Sequence, residues 1–201
     1  MTLSVKKIGI IGLGLIGGSI ARALKRNGKG YVIKAWDRDI KNLKMGLEEK
    51  AIDEFSLSLI EDFSDCEVIF LCVPVFAMKS ILEELLPGIS PNTVLTDVGS
   101  TKSDVLALIK DINVKNPFIG GHPLAGSEKS GFAASRANLF ENAYYCLTPE
   151  ENTDKDSLIK LKSIVLDLGA IPIELSPDEH DRVTAAISHV PHVVAASLVN
   201  L

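Results

Sequence analysis

Among the side chains able to move a proton near neutral pH, the four histidines stand out by their placement. His122 follows the strand-like run "FIGG" and precedes a proline, whereas His180, His189 and His192 lie together near the end of the chain. A histidine at the carboxyl end of a strand can act as base or hydrogen-bond acceptor toward a hydroxyl that is losing hydride. It can equally be satisfied by the loop beside it. His189 and His192 are one helical turn apart, which makes a metal site conceivable, but no cysteine is near and Pro191 disturbs the geometry between them. No metal is expected there; substrate contact or structural hydrogen bonding fits these residues better.

A second set of residues could hold phosphates. "IGIIGLGLIGGS", residues 8–19, is an apolar run followed by Gly12, Gly14 and Gly17. In a dinucleotide site the first glycine makes the tight turn out of a strand and the second lets main chain approach a pyrophosphate. The third lets helix and strand pack closely. The N–H groups of Leu15 and Ile16, at the start of the helix, would then face the phosphates. The motif is weak alone, but here a strand precedes it, a helix follows, and Asp37 ends the second strand twenty-five positions after Gly12. Asp37 is placed to accept hydrogen bonds from ribose hydroxyls and to repel a 2′-phosphate, which favours NAD over NADP. Arg38 could pair with such a phosphate, but Asp37 and Asp39 flank it. "LCVPV" (71–75) and "DVGSTK" (97–102) also follow strands, and so Val73, Pro74 and Ser100 are further candidates for cofactor contact. Both segments could instead be plain turns, with Thr101 as the N-cap of the following helix.

These residues need a scaffold, and the chain alternates short β-branched runs with helical patterns, each bounded by Gly, Pro or Asp. Strands are expected at 7–12, 31–37, 67–73, 93–98, 117–121, 143–148 and 170–175, with a weak one near 51–55. Helices are expected at 15–28, 39–49, 75–86, 101–111 and 154–168, from apolar residues at three- and four-residue spacing. That rhythm predicts an α/β, Rossmann-type doubly wound, mostly parallel sheet. The stretch 122–142 breaks it, being long and rich in Gly, Ser and Ala, as functional loops often are. After Leu175 the pattern becomes helical to the last residue, with Ser176 as N-cap, Pro177 at the first helical position and acids in the first turn. The expected organisation is a nucleotide-binding domain over 1–175, then the first helix of an all-helical domain over 176–201.

Composition narrows the partners. Of 201 residues 46% are hydrophobic and 23% charged, and 26 acidic against 21 basic residues leave a net charge of -5 without long runs. No basic stripe offers itself to nucleic acid, and a small-molecule partner is expected. Cys66, Cys72 and Cys146 are odd in number and sit in or near apolar runs, which fits reduced thiols. "MTLSVKK" leads straight into a strand without a basic-then-apolar export signal, and the longest apolar stretch, 68–78, is too short to span a bilayer. A cytoplasmic location and no membrane partner are expected.

Four segments together resemble the prephenate dehydrogenase family, arogenate and cyclohexadienyl dehydrogenases included: "IGIIGLGLIGGSIARAL", "DVGSTK", "GGHPLAGSEKSGFAAS" and "DEHDRVTAAISHVPHVVAASLVN". The later segments are far more specific than the glycine motif. The resemblance implies that His122 is the catalytic histidine, accepting a hydrogen bond from the substrate's ring hydroxyl, with Ser100 helping to hold both. It implies that Ser127 and Glu128 line the substrate pocket or its entrance, and that His192, with Ser188 and His189 beside it, lies near the substrate. The implied reaction is NAD-dependent oxidative decarboxylation of prephenate to 4-hydroxyphenylpyruvate, a step toward tyrosine. Arogenate is the alternative substrate, since the two differ only in a side-chain keto or amino group. β-Hydroxyacid dehydrogenases share a similar first domain but would use a lysine on the helical side. The family also takes a carboxylate-binding arginine and its dimer contacts from helical residues beyond Leu201. The chain is therefore expected to be a truncated product that binds NAD and turns over poorly alone, or a nucleotide-binding module without catalysis, with a homodimer formed through the C-terminal helical region.

Overall fold

The computed structural model describes residues 6–60 and 62–199, except for the side chains of residues 188, 189 and 192–194. Eight strands form one sheet: β1 (Lys7–Ile11), β2 (Val32–Trp36), β3 (Glu54–Phe55), β4 (Val68–Leu71), β5 (Val94–Asp97), β6 (Phe118–Pro123), β7 (Tyr144–Thr148) and β8 (Ile171–Glu174). Their order is β3-β2-β1-β4-β5-β6-β7-β8. Every pairing is parallel except β6 with β7, where His122 faces Cys146 in antiparallel register.

Helices cover both faces because successive strand residues point to opposite sides. Ile8 and Ile10 of β1 pack with Ile20, Ala21 and Leu24 of α1 (Leu15–Asn27), Leu43 of α2 (Ile40–Glu48) and Leu161, Ile164 and Val165 of α5 (Lys155–Asp167). Ile11, Ile69 and Leu71 point the other way, toward Met78, Leu82 and Leu85 of α3 (Val75–Leu85) and Val105 and Ile109 of α4 (Ser103–Asp111). Each fully buried Val, Leu, Ile or Met side chain among these is worth about 1.5–3 kcal/mol of transfer from water. This is the doubly wound, mostly parallel sheet that the alternating pattern predicted.

The chain runs outward from β1 to β2 and β3, then returns to place β4 on the other side of β1. That reversal opens a crevice at the carboxyl ends of β1 and β4, where ligands bind in open α/β sheets.

The chain ends in α6 (Pro177–Thr184), a wide π-turn (Ala185–His189) and α7 (Val190–Val199), all continuous. Ser176 caps α6 in a reciprocal capping box with Glu179. Pro191 supplies no N–H and its ring would crowd the carbonyl of Ile187, and the wide turn falls just where that crowding arises.

Two local expectations are corrected. His122 lies within β6, not after it, because antiparallel pairing with β7 carries the strand on through Pro123. Helix α4 begins at Ser103 and is not capped by Thr101; its free N–H groups are taken up by a side chain from α6.

Candidate active site

The crevice is a cleft of about 740 Å³ lined by the glycine turn, the end of β2 and the segment after β4. Gly12 has φ +99°, and a Cβ there would stand 2.5 Å from the carbonyl oxygen of Cys72. A Cβ on Gly17 would collide with the carbonyl oxygen of Gly12, so this glycine lets α1 sit directly against β1. Gly14, the N-cap of α1, has nothing within 4 Å of where its side chain would be. No side chain caps α1 and no acid occupies its first turn, which leaves its positive end to whatever enters the cleft.

Asp37 fixes the turn to β2. One carboxylate oxygen accepts from the main-chain N–H of Leu13 at 2.6 Å and the other from that of Asp39 at 2.7 Å. The cleft also takes in Trp36, Asn42, the well-exposed Phe76, and Lys129 to Gly131 from the long loop. That loop is held on α1 where the absent side chain of Gly18 makes room for Phe132 and Ser135. Arg22 spans both, donating to Ser135 Oγ at 2.7 Å and lying 4.4 Å over the Phe132 ring. The N–H of Arg136 donates to Ser19 Oγ at 2.9 Å.

A second cavity of about 380 Å³ adjoins His122 and is lined by Ser100, Pro123 to Gly126, Thr184 and Ile187. Ser100 lines both cavities. Beneath His122, Lys102 and Asp97 form an ion pair with both side chains fully buried. Lys102 Nζ also donates to the carbonyl of Gly121 at 2.7 Å, while Asp97 accepts from the N–H groups of Gly121 at 3.1 Å and Gly99 at 2.8 Å. Burial pushes the Lys102 amine down from its ordinary value, against the pull of Asp97.

His122 is half-buried, and its Nδ1 lies 2.8 Å from Nε2 of His180, which is 1% exposed. The rings meet edge to face at 72° with centroids 5.0 Å apart. On its other side His180 Nδ1 is 2.8 Å from Asp181 Oδ1, and Asp181 accepts from the N–H groups of Lys102 at 2.7 Å and Ser103 at 2.9 Å. Burial pushes the Asp181 carboxyl up, but these hydrogen bonds outweigh it and hold the group down at about 2.

Of the residues singled out in the sequence, Gly12, Gly14, Leu15, Ile16, Asp37, Arg38, Val73, Pro74 and Ser100 all line the first cleft, and Gly17 packs beneath it. Ser100 and His122 meet at the second. Ser127 and Glu128 are exposed on the loop between Gly126, at one cavity, and Lys129, at the other. The side chains of Ser188, His189 and His192 lie outside the described residues. Among the described residues no three His, Cys, Asp or Glu side chains gather as a metal site, no helix is long and apolar enough to cross a membrane, and the cysteines are unbridged.

Sequence reasoning missed Asp97, Lys102 and Asp181, and left His180 without a specific role. One signal was available: an aspartate inside the apolar strand "TVLTDV" needs a buried partner. Nothing in local spacing joins His180 to His122.

Comparison with known proteins adds a family. Residues 20–174 match the model of the prephenate dehydrogenase nucleotide-binding domain, and residues 176–201 that of the prephenate dehydrogenase dimerization domain. A prephenate dehydrogenase of Bacillus subtilis is 44% identical over 193 residues, covering 95% of this chain and 52% of that protein. Among solved structures, prephenate dehydrogenase from Aquifex aeolicus in complex with hydroxyphenyl propionate and NAD+ superposes with a TM-score of 0.91 at 35% identity, over 100% of this chain and 70% of that one. An arogenate dehydrogenase from Synechocystis gives 0.88 at 37% identity, over 96% and 68%. The chain spans about half the length of the curated relatives it matches at 44% and 38% identity.

Proposed function

The chain belongs to the prephenate dehydrogenase family, and we propose that it serves the NAD-dependent oxidative decarboxylation of prephenate to 4-hydroxyphenylpyruvate. The observation that carries this reading is the position of Ser100, on the wall of both the glycine-lined cleft and the His122 cavity. A dinucleotide in the first and a small acid in the second would meet there.

The cleft suits NAD on its own features: an uncapped helix N-terminus, open space at Gly14, and a carboxylate at the end of β2. The N–H groups of Leu15 and Ile16 would face the pyrophosphate, Asp37 the ribose hydroxyls with Arg38 beside it, and Val73 and Pro74 would form the wall opposite the turn. Bound NAD supplies the hydride acceptor. His122 accepts a hydrogen bond from the substrate's ring hydroxyl and takes its proton as the carbinol carbon is oxidised, with Ser100 orienting both groups. Departure of CO2 returns a bonding pair to the ring, and aromatisation drives the step. Ser127, Glu128, Ser188, His189 and His192 complete the substrate side in this reading.

The matched ranges support a division into an NAD-binding domain over 1–175 and the first helix of a helical domain over 176–201. The second match and the exposed Ile187, Val190, Leu198 and Val199 support a homodimer through the C-terminal helices. A cytoplasmic location goes with a biosynthetic enzyme that keeps its thiols reduced. Arogenate is the second substrate reading, favoured by the likeness to the Synechocystis enzyme.

Turnover of prephenate and of arogenate, followed by nicotinamide reduction, tests the assignment. His122→Asn is expected to lower kcat by about 10²–10⁴-fold with NAD affinity unchanged. Undiminished turnover in that variant removes the proton-accepting role of His122.

A further inference from the structure

The contact between His122 and His180 is the middle of a chain that begins at the N-terminus of α4. The two N–H groups there, on Lys102 and Ser103, can only donate, and both point at Asp181. With its carboxyl held down at about 2, Asp181 is ionised and can only accept. The hydrogen between Asp181 Oδ1 and His180 Nδ1, 2.8 Å apart, therefore belongs to the histidine. A neutral imidazole with its hydrogen on Nδ1 has a bare Nε2. That bare nitrogen is 2.8 Å from Nδ1 of His122, which must in turn be the donor. Thr184 Oγ1, 3.4 Å from the same nitrogen, can add a second donor but cannot replace the first. For a neutral His180, each step follows from what the preceding partner is unable to do.

We propose that His180 and Asp181 are positioning residues that fix the tautomer of His122, holding its hydrogen on Nδ1 and leaving Nε2 as the acceptor. A hydroxyl that gives up its proton needs such a bare nitrogen, and the opposite tautomer would meet it with a second donor. The catalytic consequence rests on the dehydrogenase reading above; the tautomer itself is a property of this chain. Among the described residues, the other charged or titratable groups around the pair include the buried Lys102 and Asp97 beneath Gly121, Cys146 across from His122 on β7, and Asp178, which accepts from Ser103 Oγ at 3.2 Å.

Asp181→Asn separates positioning from folding. Oδ1 of Asp181 faces both His180 Nδ1 and the Lys102 N–H, and Oδ2 faces the Ser103 N–H, so an amide whose oxygen takes the Ser103 N–H turns its NH2 toward His180. His180 Nδ1 must then accept, its hydrogen moves to Nε2, and that nitrogen donates to His122 Nδ1. His122 is left with its hydrogen on Nε2. Long-range 1H–15N spectra of the histidine-labelled chain read both rings directly. The expected result is Nδ1–H on His122 in the parent and Nε2–H in Asp181→Asn. In a form that turns over, kcat is expected to fall on the order of a hundredfold, with KM and NAD affinity little changed.

Nε2–H on His122 in the parent overturns the proposal. A moved hydrogen with undiminished turnover upholds the relay and removes the proton-accepting role of His122 instead. Should Asp181→Asn not fold, or keep its amide oxygen on His180 and so leave the hydrogen unmoved, His180→Gln and His180→Leu decide the matter. The glutamine oxygen can accept from His122 Nδ1 and should keep the parent tautomer, which leucine cannot. Identical His122 spectra in those two variants overturn the proposal.

Discussion

Around the glycine turn the cleft is shaped by main-chain N–H groups and by the space that missing side chains leave, all within one strand, one turn and one helix. Around His122 it is shaped by side chains brought together from β5, α4, β6 and α6. The first region is built largely from local sequence and needs the rest of the molecule to bring the end of β2, β4 and the long loop beside it. In the second, among the described residues, the contacting groups named above other than His180 with Asp181 are not adjacent in the chain. An error at the glycine end should therefore be felt mainly as lost ligand affinity, and one at the histidine end as lost stability or lost chemistry.

Lys102→Met should cut deepest into that contrast. It leaves the Asp97 carboxylate buried and unpaired at the histidine end, and a loss of about 3–5 kcal/mol is expected in urea unfolding. A loss below about 1 kcal/mol would mean that the side-chain end is less dependent on its buried charges than its geometry implies. Gly17→Ala probes the other end. The added methyl must push α1 away from the Gly12 carbonyl, for about 1–3 kcal/mol of stability, together with weakened NAD binding by titration. Asp37→Asn turns an amide NH2 toward the Leu13 or the Asp39 N–H and is expected to cost roughly 1–1.5 kcal/mol of stability in urea unfolding, together with weakened NAD binding by titration.

The smallest effect is set by acid. The Asp181 carboxyl sits lower in the folded chain, at about 2, than its ordinary 3.8, so the folded state binds fewer protons through that window. Its stabilising contribution is full above about pH 4 and lost as pH falls toward about 2. Unfolding curves for the parent and Asp181→Asn should differ at pH 5 and converge near pH 2; a gap that stays constant with pH would assign the difference to packing.

The same contrast explains what could be read from the sequence. Strand and helix periodicity located the sheet, and even the two-residue strand Glu54–Phe55 lay within the weak signal at 51–55. Gly12, Gly14, Gly17 and Asp37 were legible because spacing along the chain is nearly spacing in space there. The start of α4 was misjudged because capping preference weighs only neighbouring residues, and the group that satisfies this helix is Asp181, seventy-nine positions beyond Lys102. His180 looked like one more helical histidine for the same reason. Its partner is determined by where α6 docks, and a local pattern cannot contain that.

The wide turn at Ala185–His189 divides the last helix into two mechanical parts. Upstream, α6 is pinned through Asp181 and His180, with His180 and Thr184 buried. Downstream, α7 presents Val190, Leu198 and Val199 to the outside. The turn, wider than a regular helical one, therefore sets the direction in which α7 leaves the segment pinned at His180.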